Sequence, residues 1–404
     1  MLPVIAHSSS TRKRSRRGTA GMASFCTTQP PHPQPFSGPS VPVCAEGARW
    51  RAIERTRSAQ TGTLGEKGEE KGAEERERRN SVEGMADMRA MVIDETGSPE
   101  VLRLARVPVP TKVTSEVLVR VHAAGINPID AKTRAGKGAA SEIRQWPAIL
   151  GHDFSGVIVE APYEAYPLQP GDEVFGMVPV PRYQGSHAEY LVASTLNVAP
   201  KPSGLSHLEA GAVPLAALTA RGVIVDVAQA AAGQRILIHA GSGGVGHFAV
   251  QLAALAGAEV IATASARNAD WLLELGASRV IDYSSTRFED ELSDLDTVID
   301  LVGNVHDDTG TRSLSVLRPG GLIVNVPTGS WPTFIPDATD AGMRATHFKL
   351  APDGVALAEL GTLLDSGALR VHIDQVFDLE RAAEAHRALE EGHTRGKIVL
   401  RVAD

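Results

Sequence analysis

Cysteine is nearly missing from this chain of 404 residues: there are two, Cys26 and Cys44, and none afterwards. Beyond residue 44 a disulfide and a thiolate-held metal site are therefore both excluded, which suits a reducing compartment without requiring one. Asp and Glu are missing from the first 45 residues. Long apolar runs are missing throughout, since stretches such as Ala210–Leu218 and Ala249–Ala256 fall well short of the roughly 18 apolar residues of a membrane span. No membrane partner is expected.

What is present divides sharply near residue 87. Residues 1–87 are rich in Ser, Arg, Pro and Gly and lack apolar periodicity, which predicts a disordered N-terminal extension. Its acid-free part carries the basic cluster TRKRSRR and has the composition of an organelle-targeting peptide. The favoured reading is translation from Met85 or Met88, which leaves a cytoplasmic protein, with an organelle as the alternative. Residues 1–87 hold 14 Lys/Arg and 10 Asp/Glu, so the rest of the chain holds 26 and 38, a formal charge of −12. Such an acidic body argues against a nucleic-acid partner.

From Met88 to about Ala199, short β-rich segments (RAMVID, EVLVRVHAAG, FSGVIVE, DEVFGMV, HAEYLVA) are broken by Gly and Pro, and predict a strongly bent, mostly antiparallel, barrel-like unit. From about Ala212 to Thr346, near-continuous Val/Ile strands (235–240, 259–264, 279–283, 296–302, 321–327) alternate with helices at Val245–Ala256 and Asn268–Leu275. That alternation predicts an α/β fold with a doubly wound parallel sheet. Helices near Gly354–Leu364 and Glu380–Glu390, a strand at Val371–Val376 and a closing strand KIVLRV follow, the last expected to return to the first unit. The expected division is 88–211, 212–346 and 347–404.

The densest motif is HAGSGGVGHFAVQLA, where a strand runs through Gly241, Ser242, Gly243, Gly244, Val245 and Gly246 into a helix. In that setting Gly241 permits a tight turn, Gly243 lets a pyrophosphate approach the backbone, and Gly246 allows close helix–strand packing. The helix start and its N–H groups would hold the phosphates. A dinucleotide is thus the expected ligand. After the second strand the chain reads ATASARN, offering Ser265 and Arg267 where an NAD site would carry an acid, so NADP(H) is favoured.

The runs AGINPIDAKTRAG, PAILGHDFSGVIVE, LQPGDEVFG, GSHAEYLVA, VPLAALTA, GSGGVGHFAVQLA and GKIVLRV, in this order, resemble the quinone oxidoreductase branch of the medium-chain dehydrogenase/reductase superfamily. The resemblance covers nearly all of residues 88–404. It implies a GroES-like β-rich catalytic domain, a Rossmann domain, a cleft at their junction, and NADPH-dependent reduction of quinones or α,β-unsaturated carbonyl compounds. Where zinc-dependent relatives have a catalytic Cys, this chain has Asn127, and their GHE is here Gly151-His152-Asp153. With no thiolate in the body of the chain, no metal is expected. By position in the family pattern, Asn127 and Asp130 would face the nicotinamide, with Asn127 donating to the acceptor oxygen and Asp130 fixing it or relaying protons. His152 would be a polar contact in the cleft. Thr219 would touch the nicotinamide or its phosphate, the Val326–Gly329 segment its ribose, and Lys397 would approach the cofactor.

Some relatives carry a tyrosine before the GHD segment, and here RAGKGAASEIRQWPAIL has none; Tyr183, Tyr190 and His187 remain as substitutes. Two other readings stay open, an enoyl-thioester reductase and a non-catalytic NADPH-binding protein. The family commonly dimerises through an edge strand, for which Ala345–Leu350 is the candidate.

Overall fold

The structure is a computed structural model that describes residues 87–179 and 184–403. Apart from Asp87, the expected N-terminal extension lies outside the described residues, as does Tyr183. The first half supplies β1 (Asp87–Ile93), β2 (Arg103–Pro108), β3 (Glu116–Ile126), α1 (Pro128–Arg134), β4 (Ala148–Ile149), β5 (Asp153–Glu160), β6 (Glu173–Met177), β7 (Tyr190–Ser194) and β8 (Val198–Pro200). Then come α2 (His207–Gly211), α3 (Pro214–Arg221), β9 (Arg235–Ile238), α4 (Gly246–Leu255), β10 (Glu259–Ala264), α5 (Ala269–Glu274), β11 (Arg279–Asp282) and β12 (Leu295–Asp300). The chain ends with α6 (Thr309–Ser313), β13 (Leu317–Asn325), α7 (Phe334–Asp340), β14 (Arg344–His347), α8 (Gly354–Asp365), β15 (Ile373–Asp378), α9 (Ala382–Glu390) and β16 (Lys397–Arg401).

Six strands form a sheet in the order β11-β10-β9-β12-β13-β14, with every pair parallel. Counted from β9 this is 3-2-1-4-5-6, the doubly wound order in which the crevice at the strand C-termini, where the order reverses, is the natural ligand site. Its central strands are wholly buried at Ile236, Leu237, Ile238, Val298 and Ile299, as expected for strands covered by helices on both faces.

The β-rich part has a seven-stranded sheet in the order β15-β16-β3-β5-β6-β8, with β7 also on β3, and a small sheet β2-β1-β4. β3 carries the bend: it pairs with β16, β5 and β7, and its register with β5 shifts twice, at Leu118/Val119 and Val121/Ala123. Such irregularities curl a sheet. Gly156 permits the close approach there, since a Cβ on it would sit 2.0 Å from the Arg120 carbonyl oxygen. The closing strand β16 lies antiparallel to β3, pairing Ile398 with Ile126, and so brings Lys397 beside Asn127.

Candidate active site

The glycine motif forms a cradle between β9 and α4. None of its four glycines has a positive φ; the left-handed residue is Ala240, at φ +48°. The glycines are therefore needed for space, not for backbone freedom, and the strained position falls on a residue that ordinarily avoids it. A Cβ on Gly241 would lie 2.8 Å from Cβ of Ala262 on β10, and one on Gly246 would lie 2.2 Å from the Ala240 carbonyl oxygen, so both hold the turn against the sheet. Gly243 differs: the nearest atom to its Cβ would be that same oxygen at 3.3 Å. The fold's own demand for glycine is weaker there, since that oxygen would have to yield by only a few tenths of an ångström, and a close-approaching ligand supplies a further reason for it. Val245 precedes the first turn of α4, and His247 in that turn is buried, with Nδ1 3.0 Å from the Gly243 carbonyl oxygen. Burial holds its imidazole down to about 4.

Beside the cradle is a cavity of about 260 Å³ lined by Ser242, Ser265, Arg267, Asn268, Tyr283 and the Gly392–Thr394 turn. Among the described residues, no carboxylate lines it. Arg267 is exposed, and its Nη2 donates to the His393 carbonyl oxygen at 2.6 Å. The Thr394 hydroxyl is buried with no partner among the described residues. An orphaned hydroxyl, an exposed guanidinium and open backbone at Gly243 fit the phosphates of a dinucleotide, including one on the adenosine ribose. Ser242, Ser265 and Arg267 thus come together as the sequence suggests. Tyr283, His393 and Thr394 escape sequence reasoning, because they arrive from the end of β11 and from the turn before β16.

The second part is a buried network around Asp153. Lys397 Nζ donates to Asn127 Oδ1, to the Ile126 carbonyl oxygen at 3.2 Å and to Asp153 Oδ2 at 3.4 Å. Asn127 Nδ2 donates to the same Asp153 oxygen at 2.9 Å, which fixes the amide orientation, and Asp153 Oδ1 accepts the Leu215 N–H at 2.7 Å. All three ammonium protons are committed, so what Lys397 presents to the glycine cradle is its stem: a Cβ on Gly244 would lie 3.2 Å from Lys397 Cδ. Gly396 N–H also donates to the Ser242 carbonyl oxygen at 2.9 Å. Asp153 is fully buried, and burial pushes its carboxyl up against the opposing pull of Lys397, Asn127 and Leu215.

Asn127 also caps α1, with its N–H donating to Asp130 Oδ2 at 2.8 Å, while Asp130 Oδ1 stands 2.5 Å from His152 Nδ1. Burial alone would push the Asp130 carboxyl up, but His152, through its charge and its hydrogen bond, holds it down to about 2. A carboxylate that acidic accepts, so the shared proton belongs to His152 Nδ1, and Nε2 is left for another partner. Asn127, Asp130, His152 and Lys397 are in this way joined into one network, and Asp153, to which the sequence alone assigns no role, bridges its Asn127 and Lys397.

Two expected contacts stand apart from it. Thr219 donates its hydroxyl to the Leu215 carbonyl oxygen at 2.7 Å, within α3. Val326 follows β13, with its N–H on the Asp300 carbonyl oxygen at 3.1 Å. The buried Asp300 shapes that end of the sheet, accepting from Val302, Gly303 and Asn325. Tyr190 is a core residue of β7. Among the described residues, no helix is long and apolar enough to cross a membrane.

Comparison with known proteins matches residues 114–203 to the alcohol dehydrogenase GroES-like domain and residues 275–400 to the zinc-binding dehydrogenase family. A mitochondrial NAD(P)H oxidoreductase of Danio rerio is 35% identical over 361 residues, covering 78% of this chain and 92% of its own length. The chloroplastic NADPH-dependent alkenal/one oxidoreductase of Arabidopsis thaliana is 33% identical over 324 residues, covering 78% and 79%. The solved quinone oxidoreductase of Coxiella burnetii superposes with a TM-score of 0.75 at 39% identity, over 78% of this chain and all of that one. With its strand order, its glycine cradle and these likenesses, the chain belongs to the quinone oxidoreductase branch of the medium-chain dehydrogenase/reductase superfamily.

Proposed function

We propose that this protein is an NADPH-dependent reductase of quinones and α,β-unsaturated carbonyl compounds. The observation that carries the reading is the joining of two sites at Gly396 and Lys397: one residue bonds the phosphate cradle, and the next holds Asn127 and Asp153. The relatives' printed activities, a quinone oxidoreductase and an NADPH-dependent alkenal/one oxidoreductase, support the substrate class.

Bound NADPH supplies a hydride, which an electron-poor carbon of the acceptor takes. The chain's own part is orientation and charge. Gly243, Ser242, Arg267 and Thr394 hold the phosphates. The second Nδ2 proton of Asn127 is available to an acceptor oxygen that becomes anionic, and His152 Nε2 is available to return a proton. Asp130 orients the His152 ring by accepting its Nδ1 proton, and Lys397 keeps the Asn127 amide from turning.

We propose that no catalytic metal takes part. A buried ammonium already lies against Asn127, where zinc-dependent relatives carry a ligand, and a second cation there would meet its repulsion. Pairing of two copies through β14, an edge of the parallel sheet, is the assembly we favour. An organelle is the compartment we favour over the cytoplasm, on the acid-free first 45 residues and the mitochondrial and chloroplastic relatives.

The test is a fluorescence titration with NADPH and NADH, followed by addition of 1,4-benzoquinone or a simple enone. NADPH binding at least about tenfold tighter, some 1.4 kcal/mol, and its oxidation on adding acceptor are expected. Binding without oxidation of NADPH would remove the reductase reading, and absence of binding would remove the cofactor assignment too.

A further inference from the structure

A polar seam between α1 and α9 serves neither core packing nor the reduction as described. Asp130 and Arg134 lie four residues apart on α1, as do His386 and Glu390 on α9, so each helix turns one pair toward the other. Arg134 is only 2% exposed, and it reaches Glu390 on the facing helix, whose side chain is 40% exposed. Nε and Nη1 of Arg134, both ring nitrogens of His386, both of His187 and the hydroxyl of Ser186 are buried with no partner among the described residues.

These groups run in sequence. The His187 and His386 rings meet edge to face with centroids 5.9 Å apart. The His187 ring fills the space a side chain at Gly151 would need, its Nε2 lying 2.7 Å from where that Cβ would be, one residue before His152. Left unpaired, each such group costs roughly 1–3 kcal/mol, whereas a buried water satisfies about three of them. Burial holds the imidazoles of His187 down to about 4 and His386 down to about 3. Both rings are then neutral at physiological pH, each with one donor and one acceptor nitrogen, as a proton relay requires.

We propose that this seam is a hydrated proton path leading from solvent at Glu390 to the Asp130–His152 pair. The inference rests on the reductase reading. Hydride addition leaves the acceptor as an enolate or a hydroquinone anion, which takes the Nε2 proton of an imidazolium at His152 and becomes the neutral product. One proton from bulk water then enters at the Glu390 carboxylate and passes along waters bridging Arg134, His386 and His187. It restores the His152 imidazolium. Each turnover thus consumes one hydride and one proton and needs no further reactant. Arg134 stays charged throughout and only orients water, because a guanidinium does not give up its proton.

The test starts with NADPH oxidation by an enone in the unaltered protein; no turnover there would sink the reductase reading itself. Given turnover, His386→Leu should lower kcat at least about tenfold, leave KM for NADPH unchanged and raise the solvent deuterium isotope effect. Added imidazole should restore the rate of His386→Ala. A kcat and isotope effect unchanged in His386→Leu overturn the path while leaving the reductase intact. If the leucine variant does not fold, Glu390→Gln at the surface mouth is read in the same two ways. A high-resolution crystal structure with a dry seam overturns the proposal whatever the variants do.

Discussion

The cradle at Gly241–Gly246 and the network around Asp153 are built on opposite principles. The cradle is backbone: it works by leaving side chains out, and its residues are contiguous. The network is side chain and charge, assembled from Asn127 after β3, Asp153 at the start of β5 and Lys397 at the start of β16. A site made of omissions tolerates little addition at its contact points, while a site made of buried charges tolerates no unbalanced removal.

The sharpest break in that comparison is Asp153→Leu. It strands the Lys397 ammonium, which is 3% exposed, and should destabilise the protein by about 3–5 kcal/mol in denaturant unfolding. A loss near zero would mean that Lys397 finds water instead. Next come two alanine substitutions in the cradle. Gly246→Ala forces a Cβ to 2.2 Å from a carbonyl oxygen and should cost about 1–3 kcal/mol of stability. Gly243→Ala should cost clearly less stability, about 1 kcal/mol or less, yet weaken NADPH binding at least about tenfold. If both variants lose stability equally, the glycines serve the fold alone.

Arg267→Ser should reduce the preference for NADPH over NADH by about tenfold, or 1.4 kcal/mol, by loss of charge-assisted hydrogen bonds. The ratio of the two dissociation constants reads it. The smallest effect concerns pH. The folded protein keeps His386 neutral far below the ordinary imidazole range, so the unfolded chain binds more protons as pH falls below about 6.5. The stability held above that pH is therefore lost progressively toward pH 3. His386→Leu should lose about 1 kcal/mol less than the unaltered protein between pH 6.5 and 5.5, as seen by thermal unfolding at the two pH values.

Legibility in the sequence follows the same division. The parallel sheet could be read because strands buried on both faces write themselves as Val/Ile runs, and the cradle because an excluded side chain writes itself as glycine. Asp153 stood in plain view beside His152, yet nothing local distinguishes a surface acid from one that will meet Lys397 across 244 residues of chain. His187 and His386 face the same difficulty, as each is an ordinary residue of its own segment until α9 packs beside α1. Thr394 was hidden for another reason: its hydroxyl matters only because the turn before β16 folds over the end of β10. Segments far apart in the chain meet at distances that no window of sequence encodes.

Gly396 and Lys397 are consecutive, one bonded to Ser242 and the other to Asn127 and Asp153. Two equilibria therefore share a single peptide unit as their common anchor. Any coupling between phosphate binding at Gly396 and proton binding at Asp153 is reciprocal: each shifts the other's free energy by the same amount. A pH dependence of the NADPH affinity is where such a coupling would be read.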